Sequence, residues 1–269
     1  MKYIEAKPKS IVHNYVKCFW YLEKDYPTIH LADETILPDD CLDFVFQLDD
    51  NALHLKTDNG LLRQPASFAI GQQKTPTQLT ANGKSVTAGI RFLAYGAYPF
   101  LKLPINRLQS PTVDLDHLFG KSAVELSERI KGLSARNIFK EFEKFLLSHL
   151  SASPREIDEI KFATEILFQD AGATDIARLA FDLHQSTRTL ERMFDEVVGV
   201  SPKSFARVIR FDQIKNELIL NPQVSLTNLS FRYGYFDQAH FIRDFKQFTG
   251  KTPSVFRTEV AKQPLYFYK

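Results

Sequence analysis

Two stretches of the chain, TLERMFDEVVGVSPKSF (189–205) and HFIRDFKQFTGKTPSVF (240–256), align without a gap at an offset of 51 residues, 240 minus 189. Each carries apolar residues at helical spacing: Leu190, Met193, Phe194 and Val197 in the first, Phe241, Phe245 and Phe248 in the second. Spacings of three, four and seven make one buried stripe on an amphipathic helix. Each helix runs into a glycine, Gly199 or Gly250, suited to the left-handed position that ends a helix. Two residues on, Ser201-Pro202 and Thr252-Pro253 supply a hydroxyl N-cap and a proline at the first helical position. Each copy therefore encodes a helix, a glycine stop and a capped restart.

Upstream of each copy lies a shorter helical segment and a turn. DIARLAF (175–181) leads through DLHQ to Ser186, and LTNLSFRYG (226–234) leads through YFD to the second copy. Ala180 and Ser230 are small enough for two helices to cross closely, and Ser225 and Asp237 are suited to cap the two helices of the second unit. Short helix, tight turn and longer helix make a helix-turn-helix. Opposite the apolar stripe, the longer helices present Arg188, Arg192, Asp195 and Glu196 in one copy, Ala239, Arg243, Lys246 and Gln247 in the other. Arg192 and Arg243 occupy equivalent outward positions, where arginine either pairs with guanine in a major groove or simply solvates the helix. From Gly199 to Lys262 ten Lys and Arg stand against five Asp and Glu. That balance permits phosphate contacts but gives no strong field.

The rest of the chain has a different period. Its 269 residues suggest two domains. CFWYLE (18–23), LDFVFQL (42–48), ASFAIG (66–71) and VTAGIRFLAYG (86–96) read as strands separated by turn formers, as in a sandwich or barrel. Helical pattern begins near Val113. Ser122 and Glu125 have capping-box spacing, and Ile138, Phe142, Phe145, Leu146 and Leu150 form a stripe on a further helix. That stripe serves either dimerisation or packing on the chain's own β-rich half. SASPRE (151–156) reads as a linker. The expected segments are a β-rich domain over 1–110, a helical segment and linker over 111–152, a helix-turn-helix domain over 153–260 and a tail over 261–269.

Few residues point to catalysis. The seven histidines are scattered with no metal-ligand spacing, and Asp39, Asp40 and Asp43 beside Cys41 read as turn acids. Cys18 and Cys41 sit in apolar surroundings and read as buried free thiols. No metal, cofactor or catalytic set is expected. The N-terminus lacks an apolar signal core and no run approaches ~18 apolar residues, so a cytoplasmic protein is expected. Trp20, Tyr95 and Tyr98, with Arg91, either line a pocket for an anionic or sugar-like ligand or fill core and surface, Arg91 then holding an internal acid.

GYFDQAHFIRDFKQFTGKTPSVFR (234–257) resembles the signature of AraC/XylS-type transcription regulators, with Gly234, Tyr235, Phe241, Arg243, Phe245, Lys246, Gly250, Thr252, Pro253, Phe256 and Arg257 in its positions. Ala239 departs from the usual serine. The resemblance spans about 158–260 and implies a seven-helix domain with two helix-turn-helix units joined by a long helix, here Pro202 to about Leu220. It implies base contacts from Arg188, Glu191, Arg192, Gln238, His240 and Arg243, and phosphate contacts from Ser186, Ser201, Lys203, Lys246 and Thr252. LPDDCLDFVFQL and GIRFLAYGAYPFLKLP resemble the β-rich, cupin-like region that precedes this domain in such regulators. The fold expected is thus α+β and multidomain, a cupin-like barrel with helices followed by an all-α domain. The function expected is a sequence-specific activator that binds double-stranded DNA, contacts RNA polymerase and senses a small-molecule effector or forms a homodimer. The alternatives are a purely dimerising N-terminal half, or an enzyme domain fused to a DNA-binding module.

Overall fold

The computed structural model describes residues 1–27, 32–101, 103–108, 112–151 and 155–260. Most of the expected linker core (152–154) and the tail (261–269) lie outside them. The described residues of the N-terminal half form ten strands: β1 (Lys2–Ala6), β2 (Val16–Asp25), β3 (Ala32–Ile36), β4 (Leu42–Gln47), β5 (His54–Thr57), β6 (Gly60–Arg63), β7 (Ser67–Ile70), β8 (Thr77–Ala81), β9 (Lys84–Phe92) and β10 (Val113–Asp114). They form a six-stranded sheet in the order β1-β2-β9-β4-β7-β10 and a four-stranded sheet in the order β3-β8-β5-β6, with antiparallel pairing throughout. Among the described residues no strand pairing joins the two sheets, so the expected barrel is an open sandwich.

The six-stranded sheet is covered on both faces, which explains its continuous apolar runs. Phe44 and Phe46 of β4, with Ala88, Ile90 and Phe92 of β9, point to a helical layer. Val45 and Phe68 point the other way, onto Leu55, Leu79 and Ala81 of the smaller sheet. The helical layer comprises α1 (Tyr98–Leu101), α2 (Leu115–Phe119), α3 (Lys121–Ile130) and α4 (Ala135–His149). Ile138, Phe142, Phe145 and Leu146 of α4 are buried against that sheet, the Phe142 ring tilted against those of Phe19 and Phe46. Of the two uses open to this stripe, packing on the chain's own half accounts for it. The capping box at Ser122 does not form. Gly120 takes the N-cap position, and the Ser122 hydroxyl turns back to the Phe119 carbonyl (2.8 Å) and to His149 Nε2 (3.1 Å).

Seven helices follow in the described residues: α5 (Arg155–Gln169), α6 (Ile176–Asp182), α7 (Thr187–Val197), α8 (Pro202–Leu220), α9 (Leu226–Arg232), α10 (Gln238–Thr249) and α11 (Pro253–Val260). The helices begin and stop where the hydroxyls, prolines and glycines place them. Ser186, Ser201, Ser225 and Asp237 accept from backbone N–H groups in the first turns of α7, α8, α9 and α10. Gly199 and Gly250 adopt φ of 89° and 73°, a region open to glycine at little cost. Two cores hold this half together. One surrounds α5 to α7 and the first turns of α8; the other joins the rest of α8 to α9, α10 and α11.

The halves are not beads on a string. Ala94 and Tyr95 from the end of the β-rich module lie in the same apolar cluster as Ile160, Leu190 and Val197. Leu37 packs against the cluster around α8 and α10.

Candidate nucleic-acid interface

The two helix-turn-helix units are α6–α7 and α9–α10. Their turns are built alike. The N–H groups of Leu183, His184 and Gln185 donate to the carbonyls of Leu179, Phe181 and Ala180, and those of Tyr233, Gly234 and Tyr235 donate to Leu229, Phe231 and Ser230. His184 and Gly234 hold the left-handed position in each, at φ 55° and 71°. Ala180 and Ser230 are fully buried beneath the crossing, as their size requires.

Between the units runs α8, with Phe205, Val208, Ile209, Ile214 and Leu218 buried toward them. Its 19 residues give a length of roughly 28 Å at 1.5 Å per residue. Successive major-groove segments on one side of DNA are ~34 Å apart. A rod of this length sets two recognition helices near the spacing of adjacent groove segments.

Along α7 and α10 the apolar stripes are buried, while Arg188, Glu191, Arg192, Gln238, His240, Arg243 and Lys246 are exposed. Arg243 and Lys246 have no ion-pair partner among the described residues, so their cations are available to an incoming polyanion. Arg192 lies 3.5 Å from Glu196, a turn further along the same helix. Gln238 accepts from the Thr227 hydroxyl at 3.2 Å, and the His240 ring stands edge-on to Tyr235. The hydroxyls of Ser186, Ser201 and Thr252 cap their own helices. What they offer an anion is therefore the remaining free N–H groups of a helix start. Lys203 is exposed in the first turn of α8.

A polar network fixes α10 to α8. Arg207 of α8 donates to Asp244 through Nε (3.0 Å) and Nη2, and from Nη2 to Gln247 (2.7 Å). The Tyr235 hydroxyl donates to the other carboxylate oxygen of Asp244 at 2.8 Å. Asp244 is 6% exposed, and burial first, then the Asp244 charge, pushes the Tyr235 phenol well above its usual range. The equivalent position in α7 is the apolar Met193.

The first recognition helix is held differently. The Tyr98 hydroxyl donates to Glu196 at 2.8 Å, and the Asn106 amide donates to Asp195. Ile105 lies so close to Gly199 that a β-carbon there would approach its methyl group to 2.7 Å. Thus the acids at the end of α7 dock the helix onto the N-terminal module.

The four residues grouped by sequence as a ligand site fall into two places. Trp20 and Arg91 lie together on the inter-sheet face. The indole covers Gly89, its cross-strand neighbour, and donates to Asp43 at 3.0 Å. Arg91 pairs with Asp39 and lies 3.8 Å from Asp43, so it holds internal acids. Burial pushes the Asp43 carboxyl up to about 7. Tyr95 and Tyr98 instead belong to the junction between the modules. Cys18 and Cys41 are free and buried, and burial raises both thiols. No helix among the described residues is long and apolar enough to cross a membrane.

Paired helix-turn-helix units on a shared rod, with exposed arginines at matching positions, define a double helix-turn-helix domain. Residues 179–259 match the family described as a helix-turn-helix domain, and residues 4–114 match one described as a domain of unknown function, DUF6597. The segment resembling AraC/XylS-type regulators, 234–257, lies within the matched helix-turn-helix domain. The chain is 28% identical over 123 residues to the Msm operon regulatory protein of Streptococcus mutans, an alignment covering 44% of this chain and 43% of that protein. This chain thus spans less than half the length of that relative. Among solved structures, ToxT from Vibrio cholerae is similar at 12% identity and a TM-score of 0.47, covering 89% of this chain and 98% of that one. An AraC-type regulator from Chromobacterium violaceum is similar at 18% identity and a TM-score of 0.37, covering 40% and 96%.

Proposed function

We propose that the chain reads two adjacent major-groove segments with α7 and α10 and activates transcription from a promoter so marked. The observation carrying this reading is the matched pair of exposed arginines, Arg192 and Arg243, on helices set apart by a 19-residue rod. In it, Arg188, Glu191 and Arg192 address bases of one half-site, and Gln238, His240 and Arg243 those of the other. Lys203 and Lys246 hold phosphates by charge, while the helix starts at Ser186, Ser201 and Thr252 hold them through backbone N–H groups. Activation through RNA polymerase rests on the family resemblance alone. Selection from randomised DNA, followed by gel shift at several salt concentrations, tests the reading. A selected site with two half-sites about one helical turn apart is expected; binding with no sequence preference refutes it.

A second element of the proposal concerns the signal. A cleft of about 400 Å³ lies between the modules, lined by Gln72, Lys74, Ile105, Asn106, Asp195 and Val200 among others. A small molecule seated there would touch both the N-terminal module and the end of the first recognition helix, and would favour whichever arrangement of α7 it fits. Thermal shift across a panel of small metabolites tests this, since a ligand of the folded state raises the melting temperature. No shift with any compound leaves the N-terminal half as a dimerisation or docking module, which sedimentation then distinguishes.

A further inference from the structure

The turns of the two helix-turn-helix units match hydrogen bond for hydrogen bond through Gln185 and Tyr235. The next residue in the first unit is already the N-cap, Ser186. In the second unit the N-cap is Asp237, so one residue, Phe236, is extra. It is 88% exposed, more than any other large apolar side chain of the described residues. Its neighbours hold it there. Tyr235 is buried with its hydroxyl on Asp244 at 2.8 Å, and the Asp237 carboxylate accepts from the His240 N–H at 2.6 Å. An exposed phenylalanine clamped on both sides cannot retreat into the core.

Its place in the unit says what it meets. A recognition helix enters the major groove by its N-terminal end, and Phe236 stands two residues ahead of Gln238, the first residue of α10. The edges of the bases carry one apolar group in that groove, the C5-methyl of thymine. We propose that Phe236 is a specificity-determining residue that packs on the C5-methyl of a thymine at the edge of the second half-site, a contact the first unit lacks. This rests on the DNA-reading function proposed above.

The test uses the full chain and a site selected from randomised DNA. Each thymine of the second half-site is replaced in turn by deoxyuridine, which removes only the methyl group. Wild-type affinity should fall about four-fold at one position, the value of burying a single methyl group. Phe236→Ala should bind the thymine and uracil sites equally while keeping its sensitivity to the base read by Arg243, and Phe236→Leu should retain part of the discrimination. Circular dichroism and the unfolding midpoint should match the wild type, because the side chain supports no core. Indifference of the wild type to uracil at every position overturns the proposal. So does full discrimination in Phe236→Ala, or a uniform loss on all sequences, which would mark a backbone contact. Failure to select any sequence would instead overturn the DNA-reading function itself, and would be seen before any variant is made.

Discussion

Asp244 should be the single most consequential polar residue of the C-terminal half. Replacing it with alanine leaves the buried Tyr235 hydroxyl without its acceptor and removes the carboxylate that receives two donors of Arg207. Breaking a buried ion pair from one side costs ~3–5 kcal/mol, but the Arg207 side chain is 35% exposed and recovers some hydration. It also stays in place, its guanidinium lying 5.3 Å from the centre of the Phe248 ring. A stranded hydroxyl adds ~1–3 kcal/mol. The net expectation is about 2–4 kcal/mol, a large part of a domain's typical 5–15 kcal/mol. Urea unfolding measures it with two probes in one protein. The one tryptophan, Trp20, reports the β-rich module, while far-ultraviolet circular dichroism reports chiefly the helices. With a urea slope of ~2 kcal/mol per molar, the helical midpoint should fall by roughly 1–2 M, and the fluorescence midpoint by less. Asp244→Asn, which keeps an acceptor for Tyr235, should fall between. A helical midpoint within about 0.2 M of wild type for Asp244→Ala, corresponding to under ~0.5 kcal/mol at that slope, would refute the claim that this network anchors α10.

Arg243→Ala should cost ~1–3 kcal/mol on the selected site and relax one base position; an equal loss on all sequences, measured by competition gel shift, would make Arg243 a phosphate contact. Tyr98→Phe removes the hydroxyl that holds Glu196 and should lower stability by about 1 kcal/mol, with footprint changes confined to the half-site read by α7; unchanged melting and footprints would show the contact to be idle. Asp43 gives a pH signature. Its carboxyl sits at about 7 in the folded protein against 3.8 when free, so the folded state retains the proton to higher pH than the unfolded chain. Its contribution therefore favours folding below about pH 4 and is lost as pH rises to about 7, by at most ~4 kcal/mol at 1.36 kcal/mol per decade. Asp43→Asn should flatten stability between pH 5 and 8, followed by chemical denaturation; an unaltered pH profile would count against a raised Asp43 carboxyl.

The parts of the fold legible in the sequence are those fixed by residues within a turn or two of one another. Ser201-Pro202, Gly199 and Gly250 place helix starts and stops because a cap or a left-handed glycine acts locally. The start of α8 follows from Ser201-Pro202 directly, whereas its end near Leu220 is implied by the family resemblance. Ser122 shows the limit of that logic: its spacing to Glu125 suits a capping box, but Gly120 and the distant His149 decide its partner. Short strands such as β5, β6 and β8 escape notice because each has only four or five residues and finds its register across the sheet. Arg91 could be weighed against an internal acid but not matched to one, since Asp39 and Asp43 meet it only through the pairing of β4 with β9 and the loop before β4. Likewise nothing adjacent to Asp195 or Glu196 announces Asn106 and Tyr98, some 90 residues earlier.

The duplication is thus more symmetric in sequence than in support. Both recognition helices bury the same stripe against α8 and its neighbours, but each needs a second restraint to fix its rotation, because one apolar stripe leaves a helix free to rock. In α10 that restraint is internal: Asp244 and Gln247 bond to Arg207 of the connecting rod. In α7 the corresponding position is Met193, which offers the rod no charge, and the restraint comes from Tyr98 and Asn106 of the N-terminal module. Side-chain hydrogen bonds from that module thus reach α7, while its Leu37 makes an apolar contact with the cluster around α8 and α10. On the proposed function, a signal received in the N-terminal half is expected to alter reading of the first half-site more than that of the second, which footprinting of both half-sites measures.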